Sequence, residues 1–310
     1  MIMRNNKTSI FNVSVTIILM LLPVTSLSQT QITHNKKKSE KTVTTKKENS
    51  RSSKSSQKNN RNSSSATKKT AQKENVSPGS STSSEEFYLM GERYYNQQNY
   101  TEAATWYRKA AEQGNAKGQR DLGYMYDQGY GVHQDYSEAA KWYRKAAEQG
   151  NADGQSDLGY LYVQGRGVPQ DYTEAVKWFQ KAANQGNANG CCNLGWMYFN
   201  GYGLTQNYTE AVKWYQKAAN QGNAVAQNSL GMMYFQGLGV AQNSVEAINW
   251  YQKSAEQGNV DGQCNLAYMY FEGYGVTKDL SMAKYWYQKA ANQGSQDAIS
   301  VLKYLESKGY

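Results

Sequence analysis

From Glu85 onwards the apolar residues recur at helical spacing. In "YSEAAKWYRKAAEQ" (136–149), Ala139, Trp142, Tyr143, Ala146 and Ala147 fall on one stripe. Glu138, Lys141, Arg144, Lys145 and Glu148 lie opposite, facing water. On this stripe Trp and Tyr fill space, and the alanines let a neighbouring helix approach. The preceding segment, "AKGQRDLGYMYDQ" (116–128), carries Leu122, Met125 and Tyr126 on its own stripe. The pattern predicts two helices broken at Gly129 and Gly131. Asn115 is placed to cap the first. Asp135 caps the second, with Glu138 three residues on as a capping box requires. Gly150 stands where a left-handed residue closes a helix.

The same pair of helices is written repeatedly. Trp106, Trp142, Trp178, Trp214, Trp250 and Trp286 are spaced by 36 residues, and so are the Gln-Gly pairs ending at Gly114, Gly150, Gly186, Gly222, Gly258 and Gly294. A constant period of that size means stacked supersecondary units. The cap pairs repeat with it, as Asp171/Glu174, Asn207/Glu210 and Asn243/Glu246, and Asn99/Glu102 begins the series. Gly123, Gly159, Gly195 and Gly231, followed by Ala267, recur inside the first helix of each unit. A mid-helix glycine costs about 1 kcal/mol relative to Ala. Its recurrence points to close helix packing.

"LGYMYDQGYGVHQDYSEAAKWYRKAAEQGN" (122–151) closely resembles the Sel1-like repeat, a relative of the tetratricopeptide repeat. The Leu-Gly pair, the Gly-x-Gly-Val loop, the Trp and the Ala-Ala-x-x-Gly ending recur in order. The resemblance implies an all-α fold, a right-handed α/α superhelical solenoid of helical hairpins that binds other proteins. The units are a short first one at 85–114, full repeats at 115–150, 151–186, 187–222, 223–258 and 259–294, and a C-terminal capping helix at 295–310. The cap carries Lys303 and Glu306 where other copies have Gly and Tyr, as an end exposed to water requires.

The N-terminal part is of another kind. Arg4 and Lys7 precede the apolar run Ile10–Val24, and "SLS" (26–28) offers small residues for cleavage, so residues 1–28 read as a signal peptide. An uncleaved anchor helix is the alternative, although the apolar run is short for a span. Residues 29–84 lack Phe, Trp and Tyr, and hold thirteen Lys and Arg against three Asp and Glu. Such a composition is expected to stay disordered. The formal net charge of +9 therefore belongs to this linker, and residues 85–310 are slightly acidic. The linker reads as a spacer, or as a tether for anionic envelope polymers or lipids. Export argues against nucleic acid as a partner. The expected location is periplasmic, cell-surface or secreted.

Little in the chain suggests catalysis. The Gly-x-Gly loops follow a helix, not a strand, and lack the third glycine of a dinucleotide site. The recurring carboxylates are explained by capping. His34 and His133 are too isolated for a triad or a metal site, and no nucleophile with a nearby base is evident. No cofactor is expected. Cys192 and Cys264 share one repeat position two units apart, so with Cys191 they are expected to be free thiols.

Function is sought where copies differ. On the first helix, positions 117, 120, 124 and 127 lie within about 80° of one another at 100° per residue. They read Lys117/Arg120/Tyr124/Asp127, Asp153/Ser156/Tyr160/Val163, Asn189/Cys192/Trp196/Phe199, Val225/Asn228/Met232/Phe235 and Asp261/Cys264/Tyr268/Phe271. The column becomes more aromatic and apolar towards the C-terminus. If first helices line the concave side, Arg120, Tyr124, Tyr160, Val163, Trp196, Phe199, Met232, Phe235, Tyr268 and Phe271 form a surface for a peptide or protein partner. The competing reading is that these side chains pack against the adjacent repeat.

Overall fold

The computed structural model describes residues 83–310. The expected leader and nearly all of the expected linker lie outside the described residues. Among the described residues there are thirteen α-helices and no strand. They are α1 (Ser84–Asn96), α2 (Tyr100–Glu112), α3 (Ala116–Gln128), α4 (Tyr136–Glu148), α5 (Ala152–Gln164), α6 (Tyr172–Asn184), α7 (Ala188–Asn200), α8 (Tyr208–Asn220), α9 (Ala224–Gln236), α10 (Ser244–Glu256), α11 (Val260–Glu272), α12 (Leu280–Asn292) and α13 (Gln296–Ser307). Odd helices α1 to α11 pack on the even helix after them to make a hairpin, and α3 to α13 on the even helix before them to join hairpins. The result is the all-α solenoid that the 36-residue period predicts. Odd helices also touch the next odd helix, as α1/α3, α5/α7 and α9/α11 do.

The turns are built from few parts. After α4, the Gly150 N–H donates to Ala147 O and the Asn151 N–H to Ala146 O, a Schellman closure with Gly150 left-handed. The Asn151 side chain then accepts from Gly154 N at 2.7 Å and starts α5. One residue thus closes one helix and opens the next. In the longer loops Gly129, Gly165, Gly201, Gly237 and Gly273 are left-handed C-caps. Gln134, Gln170, Gln206 and Gln242 reach back from the loop to donate to the carbonyls of Asp127, Val163, Phe199 and Phe235.

The caps differ from expectation in one respect. Asp135 accepts from Ser137 N and Glu138 N, but Glu138 does not return the bond. Its carboxylate is held by Lys141 at 2.6 Å, and Glu174 and Glu210 are likewise held by Lys177 and Lys213. In these three helices the carboxylate pairs with the lysine one turn on. The reciprocal capping box forms at α1, between Ser83 and Glu86.

Within each hairpin the central contact is a ring on a glycine. Tyr107, Tyr143, Phe179, Tyr215 and Tyr251 are fully or almost fully buried. They lie against Gly91, Gly123, Gly159, Gly195 and Gly231, where a Cβ would come within 2.4–2.9 Å of the ring. Trp, the residue before each ring, plays a lesser part than its periodicity suggests. Trp106, Trp142, Trp178 and Trp214 are only half-buried, whereas Trp250 and Trp286 are buried. Each indole is covered by the lysine three residues later, with Nζ at 3.9–4.8 Å from the ring. The lysine thereby takes up part of the exposure left by incomplete burial.

Two polar ladders run along the hairpin junctions. Gln119 is buried; its Nε2 donates to Ala111 O at 3.1 Å, and its Oε1 accepts from Gln149 Nε2 at 2.6 Å. Gln155, Gln227 and Gln263 make the same two bonds in their repeats. The second ladder joins neighbouring odd helices. Arg120 binds Asp157, Asn193 donates to Ser156, and Asn265 donates to Asn228.

The second glycine of each Gly-x-Gly loop lies against the start of the preceding repeat's even helix. At Gly203 φ is +70° and a Cβ would lie 2.4 Å from Tyr172 O; at Gly222 φ is +86° and nothing lies within 4 Å. Both positions are left-handed, so only the contact separates them. Gly203→Ala is expected to cost roughly 3 kcal/mol, and Gly222→Ala about 1 kcal/mol. Urea denaturation of both variants measures the difference, and equal losses would mean that the loop does not bear on its neighbour.

Candidate partner-binding surface

The variable column lies on the odd helices, and the structure gives its members different roles. Arg120 is held as a structural ion: Nε is 2.7 Å from Asp157 Oδ2, Nη1 is 2.9 Å from Asp121 Oδ1, and the side chain is 20% exposed. Its guanidinium also lies over the Tyr124 ring at 5.5 Å. Val163 and Trp196 are 5% and 8% exposed, so both serve the core. Tyr124, Tyr160, Phe199, Met232, Phe235, Tyr268 and Phe271 are half-buried, with part of each side chain at the surface. Arg120 is tied to the next repeat through Asp157, and Tyr124, Met232, Phe235 and Phe271 pack part of their surface against the core.

Sequence reasoning missed the aromatic residues that join this column from the loops. In three of the five Gly-x-Gly loops the middle residue packs on the first residue of the preceding even helix. Tyr130 stacks on Tyr100 and Tyr202 on Tyr172, both with centroids 4.8 Å apart, and Arg166 lies over Tyr136 at 5.2 Å. The loop ring then meets the column: Tyr130 lies 6.0 Å from Tyr124, and Tyr202 lies 5.2 Å from Trp196. In the last full repeat Ser244 replaces the tyrosine underneath. Tyr274 turns instead to Phe235 at 5.5 Å and Tyr268 at 5.9 Å, and Phe235 and Tyr268 meet edge-on. Phe199 packs on Tyr208, and Lys278 covers Phe271. The signal was present as a residue pairing 30 positions apart, Tyr100/Tyr130 and Tyr172/Tyr202. It is invisible when loops are read only as turns.

Tyr202 at 37% and Tyr274 at 42% are among the few exposed large apolar side chains. They lie in the third and fifth full repeats, each against a column aromatic. The N-terminal column is charged, with Lys117, Arg120, Asp127 and Asp153, whereas positions 189–199 and 225–235 of the column carry no charge.

Among the described residues no group of three or more His, Cys, Asp or Glu is arranged to hold a metal ion. The three cysteines are free thiols. Burial raises the Cys192 thiol to about 12 and Cys264 to about 11, and it holds the phenol of Tyr268 at about 12. The Gly-x-Gly loops are packing elements. Among the described residues no helix is long and apolar enough to cross a membrane.

A stack of 36-residue helical hairpins, constant at the seams and variable on one column, defines an α-solenoid repeat protein. The Sel1 repeat model matches residues 84–115, 116–151, 152–187, 188–223, 224–259 and 260–295, and the chain belongs to the Sel1 repeat family. Among solved structures, a Sel1 repeat protein from Oxalobacter formigenes is 38% identical, with a TM-score of 0.64 over 70% of this chain and 86% of that one. The protein c5321, a protective antigen of uropathogenic Escherichia coli with the same type of fold, is 40% identical, with a TM-score of 0.61 over 73% of this chain. The match spans half of the Escherichia coli protein. No curated protein matches the chain. Sel1 repeat proteins are generally protein-interaction scaffolds.

The Arg120 cluster has a consequence for pH. Burial raises the Asp157 carboxyl to about 6 despite the opposing pull of Arg120, with Asp153 and Asp127 adding repulsion. An unfolded aspartate titrates near 3.9. Between those values the folded chain takes up a proton that the unfolded chain does not. This group's stabilisation is therefore full below about pH 4 and is lost as pH rises through 6. Carboxyl-detected NMR is expected to show Asp157 titrating near 6, and Asp157→Asn to remove that part of the stability profile.

Proposed function

We propose that this protein is an exported, non-catalytic scaffold that binds a peptide or protein partner along its odd-helix face. The observation that carries the reading is the set of exposed loop tyrosines, Tyr202 and Tyr274, each set against aromatic residues of the variable column. Stacked rings are rigid, offer large contact area and lose little entropy on binding. Direct contact between successive odd helices supports placing this face on the inside of the bend. The uncharged stretch around Phe199, Met232 and Phe235 favours a partner segment with apolar anchors over a charged one. Export rests on the N-terminal leader.

Two measurements test the reading. Peptides selected from a displayed library on the intact protein are expected to lose at least tenfold in affinity for the Tyr202→Ser/Tyr274→Ser variant. They should retain affinity for Lys213→Ala on the even-helix side, with melting temperatures close to the parent. Equal affinity for both variants would place binding elsewhere. Mass spectrometry of the protein from its native envelope fraction is expected to give a mature N-terminus near Gln29; a chain retaining the leader would favour the anchored form.

A further inference from the structure

We infer that, among the full repeats, the solenoid opens most readily at the central one, residues 188–223, because the first polar ladder breaks on its N-terminal side and the second on its C-terminal side. In the first ladder Cys191 stands where the other full repeats have Gln119, Gln155, Gln227 and Gln263. Its Sγ is 3.8 Å from Ala183 O, a weak contact in place of an amide bond near 3.1 Å. The Gln221 side chain, which would have met the missing amide, instead folds back on Lys217 O of its own helix. In the second ladder Cys192 occupies the position of Arg120 and Asn228, which make the Asp157 and Asn265 links. The bond from Asn193 to Ser156 on the other side is long, at 3.4 Å. The repeat's central ring is also affected. The buried Tyr215 hydroxyl has Ser229 nearby but makes no hydrogen bond of good geometry, whereas the equivalent Tyr107 hydroxyl donates to Glu92.

At the junction before this repeat there remain the long Asn193–Ser156 bond, the turn contact of Asn187 to Asp153 at 2.7 Å and apolar packing; at the junction after it the Gln227 bond to Ala219 O at 3.1 Å and the turn contact of Asn223 to Asn189 at 3.1 Å persist. Packing is similar at the junctions between full repeats, so the lost hydrogen bonds decide which of these is weakest. In a linear array each repeat is held only by its neighbours, and the ends ordinarily fray first. Here an internal unit is weaker than the full repeats that flank it, besides any fraying at the ends. Its own thiols report on it. In the closed state Cys191 and Cys192 are buried, and the Cys192 thiol is pushed up to about 12, so reaction with a thiol reagent requires opening.

Hydrogen exchange of the intact protein followed by mass spectrometry tests this directly. The expected profile has a dip in protection across α7 and α8, flanked by slower exchange in α5, α6, α9 and α10. Protection that rises steadily from both ends to the centre would overturn the inference. Cys191→Gln restores the ladder residue and is expected to slow exchange of α7 and α8 by roughly 5- to 30-fold, the range one or two recovered hydrogen bonds would give. Unchanged exchange in a folded Cys191→Gln protein would also overturn it. Should that variant not fold, labelling of Cys192 in the native chain with an aromatic disulfide reagent decides the matter. Labelling faster than global unfolding supports a local opening, and labelling at the global rate refutes it.

Discussion

The contact on which the architecture depends is the aromatic ring laid on a helical glycine inside each hairpin. Tyr107 on Gly91, Tyr143 on Gly123, Phe179 on Gly159, Tyr215 on Gly195 and Tyr251 on Gly231 are the same contact made five times. The absent Cβ lets the ring approach the backbone of the facing helix, which fixes the spacing of the pair. The ring contributes a large buried area, enough to offset the poor helix propensity of the glycine. Alanines at 110/111, 146/147, 182/183 and 218/219 then keep the outer side of the even helix slim, so the next hairpin can seat on it. In the last full repeat Ala267 replaces the glycine opposite Tyr287 and is itself fully buried, so this end of the stack takes a methyl group at the contact.

With spacing set by rings and small residues, the seams tolerate little variation, and the remaining odd-helix positions are free to vary. The first full repeats use that freedom for an ion cluster, Arg120 with Asp121 and Asp157. The later ones use it for aromatic residues that link with loop tyrosines. The two ends of the column are thus chemically different although their backbones repeat. The loop tyrosine has two possible supports: the residue thirty positions back, or the column of its own repeat. Tyr202 uses both, whereas Tyr274, lacking a tyrosine at position 244, uses only the second.

Fold and period were legible in the sequence because they rest on residues that recur at the same place in every copy. The helix starts at Asn115, Asp135 and their equivalents, the left-handed glycines and the tight Gly123 series follow from local rules. What was not legible depends on comparing copies across a junction. The periodic Trp drew attention because it is rare, yet the side chain at the centre of each hairpin is its neighbour, Tyr143 or Phe179. Spacing places both on one stripe and cannot tell which faces the glycine. Likewise Arg120 reads as an exposed variable residue until Asp157, in the next repeat, is seen 2.7 Å away. Val163 and Trp196 share the column's angle but are buried, Trp196 with the loop ring of Tyr202 at 5.2 Å.

The shared turn, in which Asn151 and its equivalents end one helix with the backbone and begin the next with the side chain, leaves no spare residue between hairpins. A lone insertion or deletion there would separate the two bonds. Gain or loss of a whole unit would separate nothing, because every junction presents the same ends. The near-identical stretches "TEAVKWFQKAANQGN" and "TEAVKWYQKAANQGN" are interchangeable ends, so this molecule is lengthened or shortened in steps of one hairpin. Allelic forms that differ in copy number would fold alike and offer partners a longer or shorter face.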